Sequence, residues 1–273
     1  LGVQLSIGHD PSHIIDASAL VVTSAVPCDH PELVAARDRG VPVLKRAEAL
    51  GAWVNQGKVI AISGTHGKTT TTAMATEILA QGGLDPTGIV GGRVRGWAGN
   101  LRRGSDQLFV VEADEYDCSF FDRRSKFVHY RPKTLIINNI EFDHADIFSD
   151  ISDIQHQFHQ LLRTVPSKGL IIAPTNQEAV DDLLLQGYWS SLERFGKSEN
   201  KASSKTEGTE QWGAENIKDA GTKYTVSLNE QKIAEVNWSL IGEHNVNNGI
   251  AAIAAARHAG IEPKDAIEAL SQF

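Results

Sequence analysis

The chain has 273 residues, 41% hydrophobic and 22% charged, enough to bury a sizeable core and to form more than one domain. With 34 acidic against 26 basic residues the net charge is −8, which argues against a nucleic-acid partner held by bulk electrostatics. No apolar run approaches the ~20 residues needed to span a bilayer. Cys28 and Cys118 give neither a disulfide framework nor a zinc spacing, so both are expected to be small buried side chains in a cytoplasmic protein. The start at Leu1, without a signal-peptide pattern, reads as a piece of a longer protein.

Residues 1 to 57 read as the later part of a small α/β unit. Ala19 to Thr23 is expected as a buried strand, Pro31 to Arg37 as a helix stopped by Gly40, Val41 to Leu44 as a strand, and Ala47 to Val54 as a second helix. Strands alternating with helices imply a parallel sheet, and Thr23 and Ser24 sit just past a strand end, where such sheets bind ligands. Capping of the next turn accounts for them equally well.

Val59 to Ile62 is a short apolar strand, Gly64-Thr65-His66-Gly67-Lys68-Thr69 turns the chain, and Thr70 onward has helical spacing through Met74, Ile78 and Leu79. Strand, glycine turn and helix in that order gather backbone N–H groups and a helix N-terminus around one point, a site for an anion. Lys68 adds a cation for outer phosphates, and the Thr69 hydroxyl can reach a magnesium ion. The glycine usual five residues before the Gly-Lys pair is replaced by Ile62, so the turn is a shorter version of the phosphate loop.

Gly88 to Gly104 reads as a loop or hairpin over that site, with Arg93, Arg95, Arg102 and Arg103 either meeting phosphate or, the favoured reading, standing as solvated surface charge. Leu108 to Val111 is the next core strand and delivers Glu112, Asp114, Glu115 and Asp117; carboxylates so close repel unless cations neutralise them, which suggests a divalent metal with oxygen ligands. Thr134 to Ile137 is followed by Asn138, Asn139, Glu141, Asp143, His144 and Asp146, and there His144 reads as a metal ligand. An amphipathic helix over 151–165, a strand over 169–174 and a helix over 178–186 follow. Gly196 to Gly213, nearly free of apolar residues, reads as a mobile excursion. Residues 224–228 and 232–240 are expected as antiparallel edge strands. Gly242 to Gly249, with Asn245 and Asn248, opens a helix over 250–258; its amides suit either an adenine edge or a helix cap.

Four ordered blocks resemble the Mur ligases, the ATP-dependent amide-forming family of peptidoglycan synthesis. They are Gly64 to Thr70, Glu112 to Glu115, Asn138 to His144 and Gly242 to Asn248. The resemblance implies an α/β chain: a P-loop ATPase domain over 58–262 with a mainly parallel sheet and antiparallel edge strands. Part of a Rossmann-like UDP-sugar-binding unit over 1–57 precedes it, and 263–273 begins a linker to a further domain. It implies ATP and Mg2+ as cofactors, with ATP held by Gly64, Thr65, His66, Gly67, Lys68, Thr69 and Thr70, and Asn245 and Asn248 near adenine and ribose. Thr69, Glu112 and His144 are the implied metal ligands, and Lys68, Glu112 and His144 the catalytic set. Thr23, Ser24, His66 and Asp143 are the implied sugar-substrate contacts. Tyr116, the insert from Phe121 to Pro132 and Glu141-Phe142-Asp143-His144 resemble the branch that joins UDP-N-acetylmuramate to L-Ala-γ-D-Glu-meso-diaminopimelate; the alternative is the branch that adds L-alanine. No lysine lies between His144 and Lys168, so the carbamylated lysine that some relatives use for a second magnesium has no counterpart there. A P-loop kinase or GTPase, a non-catalytic nucleotide-sugar module and a folylpolyglutamate synthetase are the rival readings.

Overall fold

The computed structural model describes residues 3–23, 25–114, 117–119, 122–142, 150–197 and 209–273. Ser24, Tyr116, Asp143, His144 and Asp146 lie outside the described residues, as does the centre of the expected mobile excursion. A 3-10 turn over Pro11–Ile14 precedes strand β1 (Leu20–Val22), helix α1 (Pro31–Asp38), β2 (Val43–Lys45) and α2 (Arg46–Val54). β1 and β2 pair in parallel, Leu20 opposite Val43, as a sheet of their own. Pro31 sets the first turn of α1, where a missing N–H costs nothing, and Gly40 beyond its end has φ +69. β1 is less buried than its apolar sequence suggests: Val21 is 51% exposed, since a two-stranded sheet offers little to cover it. Cys28 is also exposed, because it sits in a surface turn before α1 rather than on an inward face.

The main sheet takes its strands from β3 (Lys58–Ser63), β4 (Thr87–Ile89), β5 (Leu101–Arg102), β6 (Leu108–Glu112), β9 (Thr134–Ile137) and β10 (Leu170–Pro174). It continues through β11 (Ser191–Lys197), β12 (Glu210–Lys218), β13 (Lys223–Leu228) and β14 (Gln231–Asn237). β7 (Asp117–Ser119) and β8 (Asp122–Ser125) form a separate antiparallel pair. The 10-stranded order is β14-β13-β12-β11-β10-β9-β3-β6-β4-β5. It is parallel from β4 to β12 and antiparallel at both ends. β3 is the switch point: the chain leaves it to build β6 and β4 on one side and returns to build β9 on the other. Ligands bind in such sheets where the carboxyl ends of neighbouring strands part.

Helices α3 (Lys68–Gln81), α6 (Glu243–Ala259) and α7 (Pro263–Leu270) cover one face, and α4 (Ile151–Leu162) and α5 (Glu178–Leu185) the other. α6 is buried on nearly every side: Ala251, Ala252, Ala254, Ala255 and Ala256 are all fully covered. A helix apolar all round must be wrapped by other elements, and α3, α7 and the sheet do so here. Residues 263–270 belong to this core through Ala266, Ile267 and Leu270. On the opposite face Phe158 of α4 meets Phe127 edge to face, with centroids 5.5 Å apart.

Two stretches differ from the sequence reading. Residues at both ends of the expected 196–213 excursion are strand, in β11 and β12. β11 as a whole escapes hydrophobic periodicity because one of its two inward residues is Glu193. Trp212 Nε1 donates to that carboxylate at 2.6 Å and Arg257 Nη1 at 3.1 Å, so the buried charge has partners. Burial nonetheless holds the Glu193 carboxyl above the usual range, whereas hydrogen bonding from Arg257 holds Glu210 below it. α6 begins at Glu243, so Asn245 and Asn248 lie in its first turns rather than before it.

His258 lies near the end of α6 at the amino-terminal edge of the sheet. It lines a cavity of about 500 Å³ together with Lys58, Lys133 and Thr134. Desolvation, and the charges of Lys133, Arg257 and Lys58, push its imidazole below the ordinary value. The unfolded chain therefore binds more protons than the folded one as pH falls through about 6.5. This contribution to stability is present above that pH and is lost below it. His258→Gln is expected to flatten the dependence of Tm on pH between about 5 and 7, measured by calorimetry. Phe158→Ala is expected to cost about 3–5 kcal/mol in denaturant unfolding, through loss of apolar contact and the void left behind.

Candidate active site

The site grows from the tip of β3. Ser63 Oγ donates to the Ile136 carbonyl at 2.9 Å and ties β3 to β9 below the turn. Gly64 and Gly67 then take φ +128 and +82, conformations that favour glycine, and α3 begins at Lys68. Thr71 N–H is bonded to the Gly67 carbonyl at 2.9 Å. The N–H groups of Thr69 and Thr70, in the first turn, have no protein partner among the described residues. Unpaired donors and the positive end of the helix dipole thus face outward together, as an anion site requires.

The loop is held from β9. Asn139 Oδ1 accepts from His66 N–H at 2.8 Å, and Asn139 Nδ2 donates to the His66 carbonyl at 3.2 Å. Asn138 Nδ2 donates to Thr71 Oγ1 at 3.0 Å and to the His66 carbonyl at 3.3 Å. Thr65 Oγ1 receives the Glu141 N–H at 2.9 Å. The two asparagines therefore act as a brace for the loop, a role their place in the sequence block did not reveal. Asn138 Oδ1 is buried without a partner among the described residues, which leaves one acceptor beside the loop for a ligand or water.

Lys68 is largely buried, and its Nζ donates to the Gly64 carbonyl at 2.6 Å and lies 3.5 Å from Asp114 Oδ1. Thr69 Oγ1 donates to Glu112 Oε2 at 2.8 Å, and Gly91 N–H donates to the same oxygen at 2.8 Å. Glu112 reaches this point because it ends β6 directly beside Ile62 of β3. Thr69 and Glu112 are thus oxygen donors close enough to share one cation, with Asp114 next to Lys68. Such all-oxygen donors suit Mg2+, whose own waters would complete its shell. Asp114 was foreseen only as one of an acidic cluster; its pairing with Lys68 is new.

Other expected site residues fare differently. His66 is exposed, and its Nε2 is 3.7 Å from Glu141 Oε2. Asn248 lies against the loop: a Cβ built on Gly67 would fall 2.6 Å from Asn248 Oδ1 and 2.8 Å from Asn138 Nδ2. Asn245 instead donates from Nδ2 to the Ile241 carbonyl at 2.7 Å, so its amide is engaged with the backbone just before α6. Thr23 Oγ1 accepts the Ala25 N–H at 3.1 Å and so closes its own turn. Arg102 is bonded to Asp85 and the Pro86 carbonyl, away from the loop glycines. Among the described residues no helix is long and apolar enough to cross a membrane.

A family model described as the Mur ligase middle domain matches residues 62–256, and one described as the Mur ligase family catalytic domain matches 1–58. The chain belongs to the Mur ligase family. The Mur ligase chain is 43% identical over 274 residues to the UDP-N-acetylmuramate–L-alanyl-γ-D-glutamyl-meso-2,6-diaminoheptandioate ligase of Escherichia coli K12, covering 100% of itself and 58% of that protein. To the ligase of the same name from Haemophilus influenzae it is 45% identical over 79% of its length and 45% of the relative's. It thus spans about half the length of the curated relatives it matches. The solved UDP-N-acetylmuramate:L-alanyl-γ-D-glutamyl-meso-diaminopimelate ligase from Neisseria meningitides superposes with a TM-score of 0.84 at 37% identity, over 97% of this chain and 82% of that one. The UDP-N-acetylmuramate–alanine ligase of Thermotoga maritima superposes with a TM-score of 0.70 at 26% identity, over 98% and 57%.

The tight fit at Gly67 gives a test. Gly67→Ala is expected to abolish detectable ATP binding in calorimetric titration and to lower Tm by several degrees. The methyl group would meet Asn248 and Asn138, and alanine disfavours φ +82.

Proposed function

We propose that this chain is the nucleotide-binding part of an ATP-dependent ligase. It joins the carboxylate of UDP-N-acetylmuramate to the amine of L-Ala-γ-D-Glu-meso-diaminopimelate, in peptidoglycan recycling. The observation that carries the ligase reading is the meeting of Lys68, Thr69, Glu112 and Asp114 at the parted tips of β3 and β6. The choice of tripeptide is supported by the higher identity to ligases of that name than to the alanine ligase.

A free carboxylate resists attack by an amine and must first gain a leaving group. In the proposed reaction the sugar-nucleotide carboxylate attacks the γ-phosphorus of ATP, and ADP departs. The amine then attacks the acyl carbon of the resulting acyl phosphate and expels phosphate. Catalysis of such transfer is mainly positioning and charge neutralisation. Lys68 exchanges its bond to the Gly64 carbonyl for the outer phosphates, while the N–H groups of Thr69 and Thr70 take phosphate oxygens. Thr69 and Glu112 hold Mg2+, which when bound neutralises phosphate charge. His144 is assigned to a metal near the incoming carboxylate, and His66 and Asp143 to the sugar substrate. Asn248, packed against Gly67, is assigned to the nucleotide end of the site. Residues 1–57 form the sugar-nucleotide unit, with Thr23 and Ser24 at its strand end, and 58–262 the ATPase unit.

In the full-length protein, ADP release is expected with UDP-N-acetylmuramate plus tripeptide, and hydroxylamine should trap the acyl phosphate. A preference for L-alanine over tripeptide would transfer the reading to the biosynthetic branch. ADP release independent of any carboxylate substrate would point to a kinase or GTPase instead. Lys68→Ala is expected to lower the rate about 100-fold or more with far-UV circular dichroism unchanged.

A further inference from the structure

One cluster of ligating side chains has no place in the reaction proposed above. His9 precedes the 3-10 turn that contains His13, while His30 and Glu32 open α1. His13 Nδ1 is 2.8 Å from Glu32 Oε1, and His30 Nδ1 is 4.0 Å from Glu32 Oε2. The rings of His9 and His30 meet edge to face with centroids 4.6 Å apart. One ligand atom from each of His9, His30 and Glu32 lies within 4.8 Å of the others.

The side chains of His30 and Glu32 are only 14% and 20% exposed, and no lysine or arginine pairs with Glu32 among the described residues. A sheltered carboxylate of this kind needs positive charge nearby. A His13–Glu32 ion pair could supply it, but such a pair does not require His9 and His30 to gather beside the same carboxylate. Two imidazoles and a carboxylate oxygen around one point, drawn from two separate segments, are a ligand set.

The geometry points to a site for a borderline divalent transition-metal ion, Zn2+ by preference, held by His9, His30 and Glu32 and separate from the phosphate loop. Two nitrogen donors favour Zn2+, Co2+ or Ni2+ over Mg2+ and Ca2+, which take oxygen. Tetrahedral bonds of about 2.0–2.1 Å bring ligand atoms to roughly 3.3 Å from one another. The exposed His9, on a stretch outside helix and strand, is the ligand that moves inward. His13 is a positioning residue: by occupying Oε1 it leaves Oε2 for the metal, as outer partners of metal ligands commonly do. Water would complete the tetrahedral set. The bound ion would clip the segment before the 3-10 turn onto the start of α1.

The test is calorimetric titration of the purified chain with ZnCl2 in excess Mg2+, together with the visible spectrum of the Co2+-loaded protein. One equivalent is expected to bind and to raise Tm. His9→Ala and His30→Ala should each weaken binding by at least 10-fold and abolish the tetrahedral Co2+ absorption. His13→Ala should weaken it by about 10-fold with that absorption kept. Glu112→Ala, at the phosphate loop, should leave the titration unchanged. His9 is exposed, so its variant reads the site without threatening the fold, and Glu32→Gln checks the carboxylate with little change in shape. Absence of binding, binding indifferent to His9→Ala and Glu32→Gln, or binding lost in Glu112→Ala would each overturn the proposal.

Discussion

The structure depends on β3 lying between β6 and β9. With Ile62 opposite both Glu112 and Ile136, the ends of three strands are fixed within one residue of each other. This register sets Glu112 beside Thr69 and brings Asn138 and Asn139 over the glycine turn. Parallel strands carry their side chains at a constant pitch of about 3.3 Å. A slip of one residue would turn Glu112 to the other face and leave Thr69 without its partner. The apolar residues on both faces, Ile60 and Ile62 towards α3 and α6, Val59 and Ala61 towards α4, resist such a slip by burial.

The loop is stiff for a related reason. Backbone groups that would hang unpaired in a glycine-rich turn are taken up by side-chain amides from β9, and Lys68 returns to the Gly64 carbonyl. Among the described residues the N–H groups of Thr69 and Thr70, at the start of α3, are left over. A ligand with phosphate oxygens would meet donors already aimed, so little ordering cost attends its binding. Glu112 is likewise held by Thr69 and Gly91, which keeps a negative group fixed beside a site for anions without closing it to cations.

Much of this was legible in the sequence, and the exceptions share a cause. Buried parallel strands such as Leu135 to Ile137 are continuous apolar runs, readable without tertiary knowledge. The phosphate loop was legible because its glycines, lysine and threonine have a fixed order between strand and helix. β11 was not, since Glu193 is tolerable inside only because Trp212 and Arg257, distant in sequence, reach it. The start of α6 was hidden by polar residues that serve the loop, Asn248 above all. The exposure of Val21 and Cys28 was likewise a matter of what surrounds them, which composition does not record. The Lys68–Asp114 pair and the Asn138–Asn139 brace depend on angles between elements, and spacing along the chain carries no such information.

The two margins of the main sheet have a consequence for how the molecule behaves among its own copies. On one side β5 is only two residues long. On the other, β14 carries Lys232 and Glu235, engaged with Glu215 of β12 and Lys223 of β13. A newcomer strand docking there would have to desolvate these charges, or find almost no ladder to extend. A broad β surface with unpaired backbone along its rim is thereby discouraged from templating fibres.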